Sequence, residues 1–181
     1  MNWLFELDGT ILLWIQEHIR NARWDKAVIF ITDLGNAGWF WLAVCALLFL
    51  LPSCRKVGLA GFAALFIGFL ITNLCLKNMV ARIRPYELVE GLTYIGKRPS
   101  DFSFPSGHAT CSMAASVVLF VKLPKKYGIA ALVLGIAICL SRLYVGVHYP
   151  TDVLAGMAIG TVSAFLALYL LREKKENVGI S

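Results

Sequence analysis

"VGLAGFAALFIGFLITNLCL", residues 57–76, runs for twenty residues without a charge. As a helix rising ~1.5 Å per residue it would be about 30 Å long, the thickness of a bilayer's hydrocarbon core. Arg55 and Lys56 stand before it and Lys77 directly after it. Lys77 therefore falls at the far boundary of the hydrocarbon, beside water and not at the bilayer centre.

The rest of the chain carries the same signal. Of the 181 residues 59% are apolar and 15% charged, and mean hydropathy is +0.72, a composition that excludes an ordinary soluble domain. Further apolar runs cover 37–51, 109–123, 129–140 and 153–171, the shorter ones reaching spanning length only with their semi-polar flanks. Residues 1–23 differ, because Glu6, Asp8, Gln16, Glu17 and His18 interrupt them while Leu4, Leu7, Ile11, Ile15 and Ile19 recur at helical spacing. That pattern describes an amphipathic helix lying in the membrane interface. The expectation is an all-α, polytopic membrane helix bundle forming one domain. It comprises an interfacial helix (1–23), a membrane core of five spans (24–172) and a cytoplasmic tail (173–181). Six spans, with the first helix crossing, is the alternative.

Orientation is read from the loops. Arg55 and Lys56, then Lys122, Lys125 and Lys126, then Arg172, Lys174 and Lys175 fall on one side, which the positive-inside rule makes cytoplasmic. No cleavable signal peptide is visible at the start. The five cysteines include no CxxC pair and indicate neither a disulfide framework nor a zinc site. The net charge of +6 is scattered among loops, which favours anionic lipid over nucleic acid as a partner.

Three polar clusters fall on the opposite, outer side. The first, "KNMVARIRP" (77–85), has Lys77 and Arg84 seven apart, about two helical turns, with a helix end at Arg84–Pro85. In the second, "FSFPSGHATCSM" (102–113), Ser106 is a good N-cap, so a helix should begin near Gly107. Its free N–H groups and positive dipole end form an anion site, Gly107 allows close backbone approach, and His108 can give or take a proton. In the third, "SRLYVGVHYPTD" (141–152), Pro150 opens a helix and Asp152 lies four residues from His148, within reach of its ring. A carboxylate on one ring nitrogen leaves a lone pair on the other. Three cations, a helix N-terminus and two histidines thus meet where a phosphate would sit, without an acidic cluster able to hold a metal.

These spacings, K-x6-RP, PSGH and SR-x5-H-x3-D, resemble the three signatures of the type 2 phosphatidic acid phosphatase superfamily. "ITDLGNAG" (31–38) looks like that family's first-core-helix pattern. The resemblance implies that His148 attacks phosphorus to form a phosphohistidine while Asp152 orients it. It makes His108 the general acid and then base, and gives Lys77, Arg84, Ser106, Gly107 and Arg142 the non-bridging oxygens, with no metal and no cofactor. It further implies a multi-pass protein of a bacterial-type plasma membrane with its site facing outward. The substrate would be a lipid phosphate: undecaprenyl diphosphate first, phosphatidic acid or phosphatidylglycerol phosphate as alternatives. Vanadium haloperoxidase chemistry, an anion channel and a lipid flippase are the rival readings. Many members of the family have an additional span before the surface helix, and none is expected in this sequence.

Overall fold

The computed structural model describes residues 2–172, and the tail read as 173–181 lies outside them. The described residues contain helices and no strand. They comprise α1 (Asn2–His18), α2 (Ala22–Leu34), a 3-10 turn (Asn36–Gly38), α3 (Trp39–Leu50) and α4 (Arg55–Phe69). A π-helical segment (Leu70–Leu76) then leads into α5 (Lys77–Val80), α6 (Pro85–Leu88), α7 (Gly107–Lys122), α8 (Lys125–Tyr144) and α9 (Pro150–Leu170).

α7 is the axis of the bundle, with α4, α8 and α9 packed around it. Ten of its sixteen residues are buried, from Ala109 and Thr110 to Leu119. Such close packing requires small residues at the contacts, because lipid supplies little hydrophobic drive for helix association. Gly156 and Gly160 of α9 form a GxxxG pair whose absent side chains admit the α7 backbone. A Cβ at Gly160 would lie 2.3 Å from the Thr110 carbonyl oxygen, and one at Gly156 would lie 2.5 Å from that of Ser106. Buried polar side chains add hydrogen bonds between helices. Trp41 Nε1 donates to Ser112 Oγ at 3.0 Å, and the Thr72 and Thr110 hydroxyls meet at 2.9 Å. The outer surface stays apolar, with Leu47, Phe66, Leu74, Val133, Leu154 and Phe165 exposed.

Among the described residues, the stretch from α4 to α6, α8 and α9 are each long and apolar enough to cross a membrane, which makes this a multi-pass protein. The run expected at 37–51 does not form a span alone. α3 has twelve residues, about 18 Å of helix, and joins α2 through a 48° bend. The break arises at Ala37 (φ 48°) and Gly38 (φ 68°), both in the left-handed region. α2 carries only a short apolar run, 27–31, because Arg23, Asp25 and Lys26 precede it and Asp33 follows it. It forms all the same, with the Asn21 side chain capping its start by accepting from the Arg23 N–H. α8 recruits its semi-polar flanks to reach twenty residues, while α7, at sixteen, stays shorter.

α1 turns part of its polar side, Asp8 and Gln16, toward the rest of the protein. Asp8, Gly9 and Leu12 are buried, whereas Trp3, Leu4, Leu7, Trp14 and Ile19 are exposed. Gln16 donates to the Gly91 carbonyl oxygen and accepts from the N–H and hydroxyl of Thr93. Two of the polar interruptions thus face protein, Gln16 on the loop after α6 and Asp8 on Arg82 and Thr151, while Glu6, Glu17 and His18 stay exposed beside the outer apolar residues.

Candidate functional site

Lys77 is brought to the site by the π-helical segment, a wider turn often found where helices carry function. α5 ends three residues later at Val80, where Ala81, with a φ of 46°, stops the helix. Arg84 consequently does not share a helix face with Lys77. It lies in extended backbone as N-cap of α6, with Pro85 at the first helical position, so Arg84–Pro85 begins a helix where an end was expected. What unites the two cations is Asp101, from the loop before α7. Its carboxylate pairs with Lys77 Nζ and accepts from Arg84 Nη2 at 2.6 Å, while its carbonyl oxygen accepts from Arg84 Nε at 2.8 Å.

Ser106 caps α7 as expected, accepting from the Ala109 N–H, and is fully buried behind the cavity wall. Gly107, next in sequence, faces Lys77: a Cβ there would stand 3.8 Å from Nζ. Arg142, buried at the end of α8, donates through Nη1 to Thr32 Oγ1 at 2.6 Å. Its Nε has no hydrogen-bond partner, and no ion pair forms on it among the described residues. His148 immediately precedes the α9 N-cap. Its Nδ1 is 3.5 Å from Asp152 Oδ2 with no closer partner, and its Nε2 is 3.4 Å from Arg84 Nη1, a donor. Those contacts suit a ring protonated on Nδ1 with its Nε2 lone pair free. Asp152 is held in turn by Ser103 Oγ at 2.5 Å, the Tyr149 N–H at 3.0 Å and Arg82 Nη1 at 2.7 Å.

Lys77, Arg84, Gly107, His108, Arg142 and His148 all line one cavity of about 890 Å³. Beyond the polar end its wall becomes apolar through Leu42, Phe62, Leu65, Phe66 and Phe69. Among the described residues no three His, Cys, Asp or Glu side chains cluster as a metal site. Of the three buried cations, Lys77 and Arg84 share a single carboxylate, Asp101, half of whose side chain is exposed, and Arg142 is bonded to no carboxylate among the described residues. The arrangement is built to receive an anion with more than one negative oxygen.

Sequence reasoning missed Asp101, Arg82, Asp8, Thr32 and Asn36. Arg82 donates to Asp8 at 2.8 Å as well as to Asp152, and Asp8 accepts from the Thr151 N–H and hydroxyl. Thr32 and Asn36 lie in the singled-out segment 31–38, so a signal existed there, but nothing in it named these side chains. For Asp8, 144 residues before Asp152, no spacing rule applies.

Burial pushes His148 down to about 3, against the pull of Asp152 and with the help of Arg84 and Arg142. Burial acts upward on Asp101, yet Lys77 and Arg84 hold it down to about 2. In both cases the folded state binds its proton less readily than the unfolded chain, so both favour folding at higher pH. The His148 contribution is complete above the unfolded value of about 6.5 and is lost as pH falls toward 3. That of Asp101 is lost between about 3.9 and 2. Thermal unfolding in detergent should therefore show stability declining below about pH 6.5, and His148→Gln should flatten the slope between there and pH 4. An unchanged slope would contradict the burial of a neutral His148.

The comparisons with known proteins follow the same site. The model of the PAP2 superfamily matches residues 56–176. The undecaprenyl-diphosphatase of Sulfolobus acidocaldarius is 31% identical over 149 residues, covering 82% of this chain and 71% of that protein. The undecaprenyl-diphosphatase of Bacillus subtilis is 30% identical over 150 residues, 81% of this chain and 74% of the relative. Among solved structures, the transmembrane PAP2-type phosphatidylglycerolphosphate phosphatase of Bacillus subtilis superposes with a TM-score of 0.76 at 27% identity, covering 94% of this chain and 87% of that one.

Proposed function

The chain belongs to the PAP2 superfamily, and from that premise we propose that it is a metal-independent lipid phosphatase acting through a phosphohistidine, with undecaprenyl diphosphate as its substrate and undecaprenyl phosphate and phosphate as products. One observation carries the reading. Two histidines and three buried cations line a cavity whose far wall is apolar, so a phosphate and the start of a lipid tail fit the same space. Both curated relatives named above are undecaprenyl-diphosphatases, which favours the polyprenyl substrate. The Bacillus structural neighbour favours phosphatidylglycerol phosphate as the second reading.

Each step uses groups already placed. Lys77, Arg84, Arg142 and the Gly107 N–H hold the non-bridging oxygens, and Asp101 yields Lys77 and Arg84 to the incoming phosphate. Ser106 fixes the helix start that presents that N–H. The His148 Nε2 lone pair attacks phosphorus, and the positive charge developing on the ring is stabilised by Asp152 across Nδ1. His108 gives its proton to the leaving oxygen, then takes one from the water that cleaves the phosphohistidine. Positioning and charge neutralisation supply most of such catalysis. A channel or flippase would have no use for the His148–Asp152 pair.

Purified protein should release phosphate from undecaprenyl diphosphate in detergent faster than from phosphatidylglycerol phosphate or phosphatidic acid, and should do so in excess EDTA. Vanadate should inhibit, since it can adopt the five-coordinate geometry of the transition state. Activity lost on chelation and restored by magnesium would overturn the metal-free site. We further propose five spans in a bacterial-type plasma membrane, with α2 and α3 together as the first, α1 at the interface and the site facing outward. In cells, an impermeant maleimide should then label a single cysteine at Glu90 but not one at Lys125. The reverse pattern would invert the topology.

A further inference from the structure

Asn36, at the start of the 3-10 turn between α2 and α3, places its side-chain amide between Asp33 and His108. Its Nδ2 donates to Asp33 Oδ1 at 2.8 Å, and its Oδ1 lies 3.0 Å from His108 Nε2. A carboxylate oxygen accepts only, so the amide nitrogen must face Asp33 and the amide oxygen must face the imidazole. An amide oxygen also accepts only. His108 Nε2 therefore carries a hydrogen, and in the neutral ring the lone pair belongs to Nδ1.

The backbone of the same turn prevents the ring from escaping this arrangement. A Cβ on Gly35 would stand 2.5 Å from His108 Cδ2 and 3.2 Å from Cγ, so the Cδ2–Nε2 edge is pressed against the turn. Nδ1 is the nitrogen left for whatever occupies the cavity that His108 lines. We propose that Asn36, itself oriented by Asp33, is a positioning residue that fixes the His108 tautomer and makes Nδ1 the atom that passes the proton.

This inference rests on the reading of His108 as acid and base. When the phosphorus–oxygen bond to the leaving group breaks, the imidazolium Nδ1–H gives its proton to that oxygen. His108 is left neutral, with its remaining hydrogen on Nε2 bonded to Asn36. As water attacks the phosphohistidine, Nδ1 takes the water's proton, and the bond from phosphorus to His148 breaks to return both histidines to their starting states. Without Asn36 the neutral ring could hold its hydrogen on Nδ1, where it could not act as the base. The imidazolium would also lose the acceptor that holds its plane.

The test compares hydrolysis of an alkyl phosphate, whose leaving oxygen must be protonated, with p-nitrophenyl phosphate, whose leaving group departs as a stable anion. Asn36→Ala is expected to lower kcat on the alkyl ester by ~10- to 100-fold, by analogy with the loss when the partner that fixes the tautomer of a metal-ligating histidine is removed. KM should change little, and the loss on p-nitrophenyl phosphate should be smaller. The exchanged pair Asn36→Asp with Asp33→Asn again offers His108 an acceptor held by an amide, and should recover most of the activity. In ¹⁵N-histidine spectra the signals missing from His108→Ala should show the Nε2–H tautomer in the wild type and a mixture in Asn36→Ala. A His108→Ala loss equal on both esters would overturn the acid assignment and this inference with it. A His108→Ala loss confined to the alkyl ester, with Asn36→Ala like the wild type, would overturn the role of Asn36 alone.

Discussion

Replacing His148 with alanine is expected to lower lipid phosphate hydrolysis by on the order of 10⁴- to 10⁶-fold, the scale on which deletion of a nucleophile acts when the residues around it work as a unit. The expectation follows from what surrounds the ring. His148 is buried, neutral through the physiological range, and presents Nε2 beside Arg84 Nη1, where a non-bridging oxygen would be held. His108, the other histidine lining the cavity, is bonded through Nε2 to the neutral Asn36 amide and not to a carboxylate, so it has no anion across the ring to stabilise the positive charge that attack on phosphorus would create. The phosphoenzyme should vanish along with turnover. His108→Ala should instead slow both formation and hydrolysis of the phosphoenzyme by ~10²- to 10⁴-fold, leaving it detectable after an alkaline quench. Rapid mixing with ³²P-labelled substrate, followed by a quench that preserves the acid-labile phosphoramidate, separates the two variants. Phosphohistidine trapped in the His148→Ala protein would overturn the assignment.

The largest loss of stability is expected at Arg82. Its guanidinium bonds two carboxylates, Asp8 at 2.8 Å and Asp152 at 2.7 Å, and its carbon Cζ stands 3.8 Å from the centre of the Tyr149 ring. Both carboxylates are almost wholly buried, at 2% and 0% exposure, while Arg82 retains 20%. Arg82→Leu would leave two buried negative charges without their shared partner, a change of the kind that costs about 3–5 kcal/mol. Arg82→Lys keeps the charge but cannot serve both carboxylates with a planar fork, so it should fall between the two. Adding Asp8→Asn to Arg82→Leu removes one of the stranded charges and should restore part of the loss, giving a coupling energy distinct from the sum of the single changes. Thermal unfolding in detergent measures all five proteins, the wild type, Arg82→Leu, Arg82→Lys, Asp8→Asn and the double variant. An Arg82→Leu protein within ~1 kcal/mol of the wild type would show that Asp8 and Asp152 are not held as buried anions. Because α1 reaches the rest of the molecule partly through this bond, Arg82→Leu should also expose α1 to proteolysis before the bundle unfolds.

The sequence by itself determined the membrane class, the central helices and the three polar clusters. Residues 57–76 cannot be accommodated in water, and the start of α7 is set locally by Ser106, whose cap geometry needs only its immediate neighbours. The proximity of Asp152 to His148 was legible for the same reason, since four residues across a helix start place them side by side. Tertiary structure decided what no local rule encodes. That 37–51 forms one limb of a bent helix pair and not a span of its own depended on two left-handed residues, Ala37 and Gly38, that apolar content does not register. Arg84 left the helix face of Lys77 because Ala81 ends that helix, and the two cations met again only through Asp101 from another loop. The clearest case is α1. Glu6, Asp8, Gln16 and Glu17 read as a water-facing stripe, yet Asp8 and Gln16 bond loops more than seventy residues away. Periodicity reports that one side of a helix is polar; which partners satisfy that side is a property of the folded chain, because a buried charge is tolerable only where a distant residue has been brought to meet it.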